Sequence, residues 1–451
     1  MSNLGIIVLA AGMGTRMKSR THKVLHPLCG LPMGLHVINA ARTLQPARIA
    51  VVVGHQREAV EDAFRAPDVT FVHQPVLDGT GGAVARCREA LAGCTEVMVL
   101  NGDCPLITPD LLARLYGARH QRPLAFVTCE LPEPGRLGRV LRDNDREALR
   151  IVEAADYEGP PGPAEINAGQ YMFDAAWLWT TLPQVPVSTN GEYYLTHLVL
   201  AAATLGRPAA TVSADAIEAL GVDDRVKLAD AEAAMRRRIL EAHMLNGVTI
   251  TDPATTWIDS GVTIGQDSTI LPNTHIAGAS SVAEDCVIGP GATLRNASIG
   301  PGTRIESSVI EDSAIGAGCN VGPMAHVRAG ARIGDGCQLG NYAEVKNSVF
   351  GRGVKMHHFS YMGDADVGED VNIAAGSITC NYDGVRKHRT TIGARAFIGC
   401  DTMLVAPVTI GEDAFTATGA VVTRDVAPGV SVAGVPARPF ERKPPREAEE
   451  R

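Results

Sequence analysis

Residues 258–294 read IDSGVT IGQDST ILPNTH IAGASS VAEDCV IGPGAT L, so that every sixth position from residue 258 is Ile, Val or Leu. The same interval returns over residues 315–345 and again over residues 392–410. A helix repeats every 3.6 residues and a strand every 2, so neither element produces this pattern. A period of six is typical of hexapeptide repeats, in which each repeat forms one short strand and one corner of a parallel β-helix.

Three hexapeptides complete one coil of a triangular prism, with their apolar residues stacked inside. Residues 258–422 therefore predict about nine coils, and at a strand spacing of ~4.8 Å the prism is about 40–45 Å tall. Prisms of this kind are known with left-handed coiling, so we expect a left-handed parallel β-helix, although the period itself does not reveal the hand. The period breaks between Thr379 and Thr391, which predicts a loop extruded from the prism.

The first half of the chain has a different sequence pattern, in which short apolar runs alternate with segments of helical periodicity. Strands are predicted at Gly5–Leu9, Arg48–Val53, Glu96–Leu100 and Leu124–Thr128, and helices at Met33–Leu44 and Gly81–Ala92. This alternation is the signature of an α/β domain, here Rossmann-like, with parallel strands. The stretch Arg225–Leu245 lacks Gly and Pro and predicts one further helix.

These patterns divide the 451 residues into four parts. We expect an α/β domain at residues 1–224, a linker helix at 225–246, a β-helix domain at 247–440 and a charged, disordered tail at 441–451. The net charge of −9 argues against nucleic acid as a partner. The ten cysteines include no CxxC pair, which favours a reducing cytoplasm, and no stretch reaches the ~20 apolar residues that span a membrane.

A Gly-rich turn, Ala10–Met17, follows the first predicted strand. The backbone N–H groups of such a turn bind phosphate, aided by the positive end of the next helix. The turn is not a dinucleotide fingerprint, because Met17 stands at the third Gly position, and no Gly-Lys-Ser/Thr of a Walker loop follows. Two cations, Arg16 and Lys23, suit a triphosphate whose charge shifts during displacement.

The stretch LAAGMGTRM at Leu9–Met17, followed by Lys23-Val24-Leu25, resembles the signature of sugar-1-phosphate nucleotidyltransferases. The resemblance implies transfer from UTP to a sugar phosphate, with Arg16 and Lys23 as catalytic cations. It also implies the residues that bind UTP and the UDP-sugar, which are Leu9, Ala10, Ala11, Gly12, Lys23, Gln74, Gly79, Thr80, Asn101, Gly102, Asp103, Gly138, Glu153, Asn167 and Asp223. The chain departs from the family at His22, where Pro is common.

Two carboxylates are the predicted metal ligands. Asp103 follows the predicted strand Glu96–Leu100, and the carboxyl end of a strand suits a hard Mg²⁺ ion that also binds phosphates. Asp223 stands where the resembling family usually carries Asn as the second ligand. The attacking phosphate oxygen is already anionic, so the reaction needs positioning and charge neutralisation rather than a protein base.

Two motifs of the repeat region carry a closer resemblance. NIAAGSITCNYDG at Asn372–Gly384 and the spacing His358-x-x-Tyr361-x-Gly363-Asp364 resemble the acetyltransferase half of the bifunctional N-acetylglucosamine-1-phosphate uridyltransferase/glucosamine-1-phosphate acetyltransferase family. Together with the N-terminal motifs, the resemblance covers about residues 4–436. It implies a cytoplasmic homotrimer that acts on small molecules and makes UDP-N-acetylglucosamine for peptidoglycan and lipopolysaccharide precursors.

In that family acetyl-CoA acetylates the glucosamine amine, and the resemblance makes His358 the general base. An imidazole suits this role because its pKa lies near neutral pH. The resemblance also implies that the sugar phosphate is bound by Arg328, Lys346, Tyr361, Asn372, Asn381, Tyr382 and Lys387, and acetyl-CoA by Ala375, Cys400 and Thr418. Cys400 stands where the family usually has Ser. Gly434 stands near a CoA-contacting Arg of the family, for which Arg438 is a candidate substitute.

Three other functions stay open. A single-activity sugar-nucleotide pyrophosphorylase would use its β-helix only for regulation or oligomerisation, and the β-helix alone would also serve as a structural assembly module. A γ-type carbonic anhydrase would need three His ligands across a subunit boundary, which the His spacing does not suggest. The set His358, Tyr361, Asn381 and Tyr382 favours the two-activity enzyme.

Overall fold

The structure, a computed structural model, describes residues 3–188 and 191–441. The chain divides into two compact units between Met235 and Arg236. The tail predicted to be disordered at residues 441–451 lies, apart from Glu441, outside the described residues. None of the helices in the described ranges combines the length and apolar character that a membrane span requires.

The first unit is built from eleven strands and six helices, followed by a seventh helix. The strands are β1 (Leu4–Ala10), β2 (Pro27–Leu28), β3 (Leu31–Pro32), β4 (Arg48–Val53), β5 (Val69–His73), β6 (Glu96–Asn101), β7 (Leu124–Leu131), β8 (Arg139–Arg142), β9 (Ala148–Val152), β10 (Ala164–Asp174) and β11 (Ala210–Ser213). The helices are α1 (Met33–Arg42), α2 (Arg57–Phe64), α3 (Gly79–Ala85), α4 (Pro109–Ala118), α5 (Ala175–Thr181), α6 (His197–Thr204) and α7 (Arg225–Leu245). Single 3-10 turns lie at Thr15–Met17, Lys23–Leu25, Ala154–Asp156 and Leu182–Gln184.

The main sheet runs in the order β11–β7–β10–β6–β1–β4–β5, with β8 and β9 attached beside β10. Strands β6, β1, β4 and β5 are parallel, whereas β10 is antiparallel to both β6 and β7. Alternate residues of β1 face opposite sides of the sheet, so Ile6 and Val8 enter one core and Ile7 another. The sheet is therefore covered on both faces, and the carboxyl ends of β1 and β6 lie side by side.

Two predicted helices of this unit have different outcomes. The helix predicted at Arg225–Leu245 is α7. The helix predicted at Gly81–Ala92 is wrong in extent, because α3 ends at Ala85. The Arg86 guanidinium donates to the Gly82 carbonyl oxygen at 2.6 Å, which satisfies a carbonyl of the last turn and allows the helix to stop there.

The second unit consists of short strands. They are β12 (Thr249–Ile250), β13 (Trp257–Ile258), β14 (Thr263–Ile264), β15 (Thr269–Ile270), β16 (His275–Ala277), β17 (Ser281–Val282), β18 (Val287–Ile288), β19 (Thr293–Arg295), β20 (Ser298–Ile299), β21 (Arg304–Ile305), β22 (Val309–Glu311), β23 (Ala314–Ile315), β24 (Asn320–Val321), β25 (His326–Val327), β26 (Arg332–Ile333), β27 (Gln338–Leu339), β28 (Ala343–Lys346), β29 (Val349–Phe350), β30 (Lys355–Met356), β31 (Ser360–Gly363), β32 (Ala365–Val367), β33 (Asn372–Ile373), β34 (Ile378–Cys380), β35 (Thr390–Ile392), β36 (Phe397–Ile398), β37 (Met403–Val405), β38 (Val408–Ile410), β39 (Phe415–Thr416), β40 (Val421–Val422), β41 (Ser431–Ala433) and β42 (Arg438–Pro439).

These strands stack into three sheets of twelve, ten and nine strands, which form the three faces of a prism. From β12 to β40 every third strand pairs in parallel with the next one of its face, so that Ile270, Ile288 and Ile305 lie in one inward row. The loop predicted between Thr379 and Thr391 separates β34 from β35. The predicted fold class, an α/β domain followed by a parallel β-helix, is confirmed.

Candidate active sites

A cavity of about 340 Å³ opens at the carboxyl ends of β1 and β6. Ten residues predicted to bind UTP or the UDP-sugar line it, namely Leu9, Ala10, Ala11, Gly12, Lys23, Gln74, Gly79, Thr80, Asn101 and Asp103. Gly102 joins them through its N–H, which donates to the Leu9 carbonyl oxygen at 2.9 Å. A cavity at parallel strand ends beside a Gly-rich turn is the usual nucleotide position in α/β sheets. Seven further residues complete the lining: His22, Val24, Val52, Leu77, Ala83, Glu192 and Tyr194.

The Gly-rich turn brings the two predicted catalytic cations to this region. Gly14 has a φ of 59°, and a Cβ there would lie 2.7 Å from the Lys23 Cβ, so Gly allows the two segments to approach. The Lys23 ammonium pairs with the Asp103 carboxylate. Arg16 lies outside the cavity lining, and its Nη1 pairs with Asp223 Oδ2 at 2.6 Å. Each cation therefore forms an ion pair with one of the two predicted metal ligands.

Asp103 and Asp223 lie on neighbouring segments, because the Val222 N–H donates to the Asp103 carbonyl oxygen at 2.8 Å. Asp223 Oδ1 is buried and has no aligned hydrogen bond within the described part of the chain, although the Lys227 ammonium lies 2.9 Å away. Magnesium takes one or two protein carboxylates and completes its shell with water and substrate phosphates. Two carboxylates on neighbouring segments, one of which has a buried oxygen without an aligned hydrogen bond among the described residues, therefore fit a magnesium ion.

The start of α3 is built by a segment that sequence reasoning missed. Gly79 has a φ of 93°, and a Cβ there would lie 2.5 Å from the Tyr193 carbonyl oxygen. The same oxygen accepts from the Gly81 N–H at 2.8 Å, and Thr80 Oγ1 accepts from the Leu195 N–H at 3.2 Å. This docking carries Glu192 and Tyr194 into the cavity wall. The sequence feature that could have revealed this segment is the run GEYYLT at residues 191–196, which has two adjacent aromatic residues outside any predicted strand.

Three further residues predicted to bind UTP or the UDP-sugar, namely Gly138, Glu153 and Asn167, form a second group beside the cavity. The Asn167 N–H donates to the Gly138 carbonyl oxygen at 2.9 Å, and a Cβ on Gly138 would lie 3.4 Å from Glu153 Oε2. The group adjoins the cavity through Gly169, where a Cβ would lie 2.2 Å from the Asn101 amide nitrogen. Gly138, Glu153 and Asn167 are thus brought together, next to the cavity rather than in its lining.

In the second unit, four predicted residues share one corner of the prism. They each stand two positions after a strand of the same face: His358 after β30, Ala375 after β33, Cys400 after β36 and Thr418 after β39. Lys355 pairs with Asn372, Asn372 with Phe397, and Phe397 with Phe415, so the four corner residues lie one above another. With ~4.8 Å per coil the row is about 14 Å long. We call these four residues the base column.

A neighbouring corner carries three cations. Arg328 and Lys346 lie one coil apart, since Val327 pairs with Val345. Lys387 of the extruded loop approaches Lys346 and, together with Arg328, lowers the pKa of the Lys346 ammonium, because nearby positive charges disfavour its charged form. A cluster of three cations on one corner suits a phosphate group.

Tyr361 and Asn381 belong to this second corner. A Cβ on Gly363 would lie 2.2 Å from the Tyr361 hydroxyl and 2.8 Å from the Asn381 amide nitrogen, and Gly363 pairs with Lys346. The Asn381 amide donates to the buried Asp364 at 2.6 Å, so Asp364 orients it. We call Arg328, Lys346, Tyr361, Asn381 and Lys387 the cation corner. The structural role of Asp364 was missed from the sequence.

Two predicted residues stand apart from both groups. Asn372 points outward on β33, before the turn that carries Ala375. Tyr382 is exposed, and its hydroxyl donates to the Gly384 carbonyl oxygen at 2.6 Å. His358 stands at the corner before β31 and Gly363 is its last residue, so the base column and the cation corner lie at opposite ends of one face, at most about 16 Å apart.

Comparison with known proteins finds a matching family model in each unit. Residues 6–222 match the family described as the MobA-like NTP transferase domain, and residues 254–374 match the GMPPB C-terminal domain. The chain is 43% identical over 434 residues to the bifunctional protein GlmU of Brevibacillus brevis, which covers 94% of each chain. It is 44% identical over 437 residues to the bifunctional protein GlmU of Pelobacter propionicus, covering 95% of each chain.

This chain belongs to the bifunctional GlmU family. The family predicted from the sequence motifs is thereby confirmed, and so is the prediction of a two-activity transferase with a nucleotidyltransferase domain. The similarity covers the α/β unit and the β-helix alike, which excludes a chance likeness of either half.

His22 is the first departure of this chain from the pattern expected of the family. Its side chain is only 2% exposed, and its Nδ1 accepts from the Val24 N–H at 3.3 Å. Burial lowers the pKa of His22 to about 4, and the positive charges of His55, Lys23 and His26 act in the same direction. His22 is therefore a neutral imidazole in the wall of the cavity at the ends of β1 and β6.

Gly434 and Arg438 lie at the far end of the base column. Thr416 pairs with Val432, so Gly434 stands one coil beyond Thr418 on the same corner. Arg438 lies opposite Ala433 in the antiparallel pair β41–β42. An Arg side chain is thus available next to the position where the family resemblance predicts one.

Proposed function

We propose that this GlmU chain catalyses two transfers that together make UDP-N-acetylglucosamine. The β-helix transfers the acetyl group of acetyl-CoA to the amine of glucosamine-1-phosphate. The α/β domain then transfers UMP from UTP to N-acetylglucosamine-1-phosphate and releases pyrophosphate. The base column carries the proposal, because a β-helix used only for assembly would not need an imidazole aligned with the residues expected to bind acetyl-CoA. We assign the two reactions to residues 247–440 and 1–224, joined by the helix at 225–246.

Uridyl transfer begins when an oxygen of the sugar phosphate attacks the α-phosphorus of UTP. The bond from that phosphorus to the bridging oxygen breaks, and pyrophosphate leaves with the electron pair. No side chain has to take a proton, because the attacking oxygen is anionic. Lys23 and Arg16 form ion pairs with Asp103 and Asp223. From these positions the two cations neutralise the charge of the phosphates.

We infer that Asp103 and Asp223 hold the magnesium ion of this reaction. When bound, the ion neutralises phosphate charge and orients the polyphosphate. The backbone hydrogen bond between Val222 and Asp103 supports this assignment, since it holds the two segments that carry these carboxylates next to each other.

Acetyl transfer begins when the amine of glucosamine-1-phosphate attacks the thioester carbon of acetyl-CoA. His358 takes a proton from the amine, the carbon–sulfur bond breaks, and the CoA thiolate leaves and is protonated. The base column is long enough for the extended arm of CoA to lie along it with the thioester beside His358. The cation corner binds the phosphate of the sugar.

The separation of these two groups supports a homotrimer. A short sugar phosphate does not span a separation of up to about 16 Å between His358 and Gly363. We therefore propose that the cation corner of one chain faces the base column of the next, so that each acetyltransferase site lies between two prisms. A cytoplasmic location agrees with these substrates and with the scattered cysteines.

One pair of assays tests the proposal. Release of CoA from acetyl-CoA on addition of glucosamine-1-phosphate, and release of pyrophosphate from UTP on addition of N-acetylglucosamine-1-phosphate, are both expected. Pyrophosphate release without CoA release would establish the single-activity pyrophosphorylase with a regulatory β-helix.

A further inference from the structure

Lys227 is a cation that the proposed reaction does not use. It lies in the first turn of α7, and its ammonium is 2.9 Å from Asp223 Oδ1. Asp223 precedes the helix, while Asp224 caps it by accepting from the Lys227 N–H at 2.9 Å. Because Asp223 lies outside the helix, its contact with Lys227 is not one of the ion pairs that join successive turns on a helix surface.

The position of Lys227 is unfavourable for the helix itself. The first turn of a helix carries a partial positive charge and favours acidic side chains, yet the first turn of α7 contains no acidic residue. Helix stability therefore does not explain a Lys at this position. The contact between its ammonium and the Asp223 carboxylate does explain it. With Arg16 on Oδ2 and Lys227 on Oδ1, the Asp223 carboxylate is contacted by two cations.

The chain carries one more negative charge here than the Asn usual in the family would give. Asp103 and Asp223 are adjacent, and an anionic triphosphate has to bind beside both. Lys23 and Arg16 are expected to turn to the phosphates, which leaves Lys227 as the cation able to stay with Asp223.

We propose that Lys227 is a positioning residue that holds Asp223 Oδ1 and cancels the extra charge of this carboxylate, so that Asp223 acts toward metal and nucleotide as a neutral Asn would. This inference rests on the proposed magnesium site. Lys227 competes with the metal for Asp223 and at the same time lessens the repulsion between Asp223 and UTP. Its removal therefore has opposite effects on the two ligands.

The test uses the full-length enzyme and the variant Lys227→Met, with Mn²⁺ as the probe of the magnesium site. Direct Mn²⁺ binding without nucleotide, measured by electron paramagnetic resonance, should be about threefold to tenfold tighter in Lys227→Met, since a partly exposed ion pair is modest in strength. UTP binding at saturating Mg²⁺ should be weaker by a similar factor. Lys227→Arg should bind both ligands as the wild type does.

Two controls separate the inference from other effects. Arg237→Met removes an ion pair of α7 between Arg237 and Glu241, 2.8 Å long, and should change neither affinity. In an Asp223→Asn background, Lys227→Met should no longer change Mn²⁺ affinity by more than about twofold.

Mn²⁺ binding by Lys227→Met that is unchanged or weaker than that of the wild type would overturn the inference while leaving the magnesium site intact. A wild type whose Mn²⁺ binding is absent, or is insensitive to Asp103→Asn, would remove the proposed magnesium site and the inference with it. Loss of affinity for both ligands would indicate disturbed folding of α7, and this outcome also contradicts charge compensation.

Discussion

Cys400 stands on the same corner of the prism as His358, two coils further along. Two coils correspond to about 10 Å, so the Cys400 thiol lies beyond hydrogen-bond reach of the imidazole, and in the proposed complex it would lie beside the CoA arm. The side chains of both residues are exposed. A Cys and a His in one acyltransferase suggest an acyl-cysteine intermediate, but this geometry favours direct transfer.

We expect Cys400→Ser to retain acetyl transfer within about tenfold of the wild-type rate, or ~1.4 kcal/mol of barrier. A thioester is already activated, so its passage to a second thiol gains little, and a Ser hydroxyl is at least as good a hydrogen-bond donor as a thiol. Intact mass after brief exposure to acetyl-CoA without sugar is the deciding measurement. An acetyl adduct on Cys400 that glucosamine-1-phosphate discharges would refute direct transfer.

His358→Ala should lose acetyl transfer by about a hundredfold or more, because the amine then has no base. The adjacent His357 is a matched control, since it is also exposed and its ring centre lies 6.4 Å from that of His358. His357→Ala should stay within a few-fold of the wild type. CoA release measures both, and equal losses in the two variants would contradict the assignment of the base.

Asp103→Asn should strongly lower the rate of uridyl transfer. The rate of acetyl transfer should stay close to that of the wild type, because the two sites share no residue. The expected loss is at least about tenfold. Asp110→Asn serves as a control, as Asp110 is exposed and pairs only with Arg114 among the described residues. Parallel assays of pyrophosphate and CoA release check the prediction, and loss of both activities in a folded Asp103→Asn protein would disprove independent sites.

The two candidate sites differ in how far position in the sequence determines position in the fold, and the reason is geometric. In a repeat of fixed period, sequence spacing converts directly into position, so His358, Ala375, Cys400 and Thr418 fall on one corner. The coils vary between 16 and 18 residues in length, as between Ser281, Ser298, Ala314 and Arg332, and the loop at residues 381–389 adds the largest departure.

The nucleotide site depends on contacts between distant segments, which no local pattern encodes. The docking of Tyr193 on Gly79 and the pairing of Arg16 with Asp223 join residues that lie over a hundred positions apart. The antiparallel strand β10, inserted between β6 and β7, was not predicted either. Motif resemblance named most cavity residues, yet their ion pairs and the contribution of Glu192 and Tyr194 required the fold.

His22 provides a test of how a buried imidazole affects stability. The φ of His22 is −58°, a value that Pro adopts, and its N–H makes no hydrogen bond within the described residues. His22→Pro, which introduces the residue common in the family, should therefore fold and retain uridyl transfer within a few-fold. The variant removes the imidazole without straining the backbone.

The pH dependence of stability should differ between His22→Pro and the wild type. Burial lowers the pKa of His22 to about 4, below the value of about 6.5 expected in the unfolded chain. Above pH 6.5 the ring is neutral in both states and does not lower the free energy of unfolding. Between pH 6.5 and 4 the unfolded state takes up a proton that the native state does not. The free energy of unfolding therefore falls as the pH falls through this range. Between pH 7.5 and 5.0 the wild type should lose about 2 kcal/mol more than His22→Pro. In calorimetry, the transition that UTP raises should accordingly drop by roughly 4–8 °C more in the wild type. The exposed His120 supplies the control His120→Asn, which should behave as the wild type, and equal drops for all three proteins would show that His22 does not titrate on unfolding.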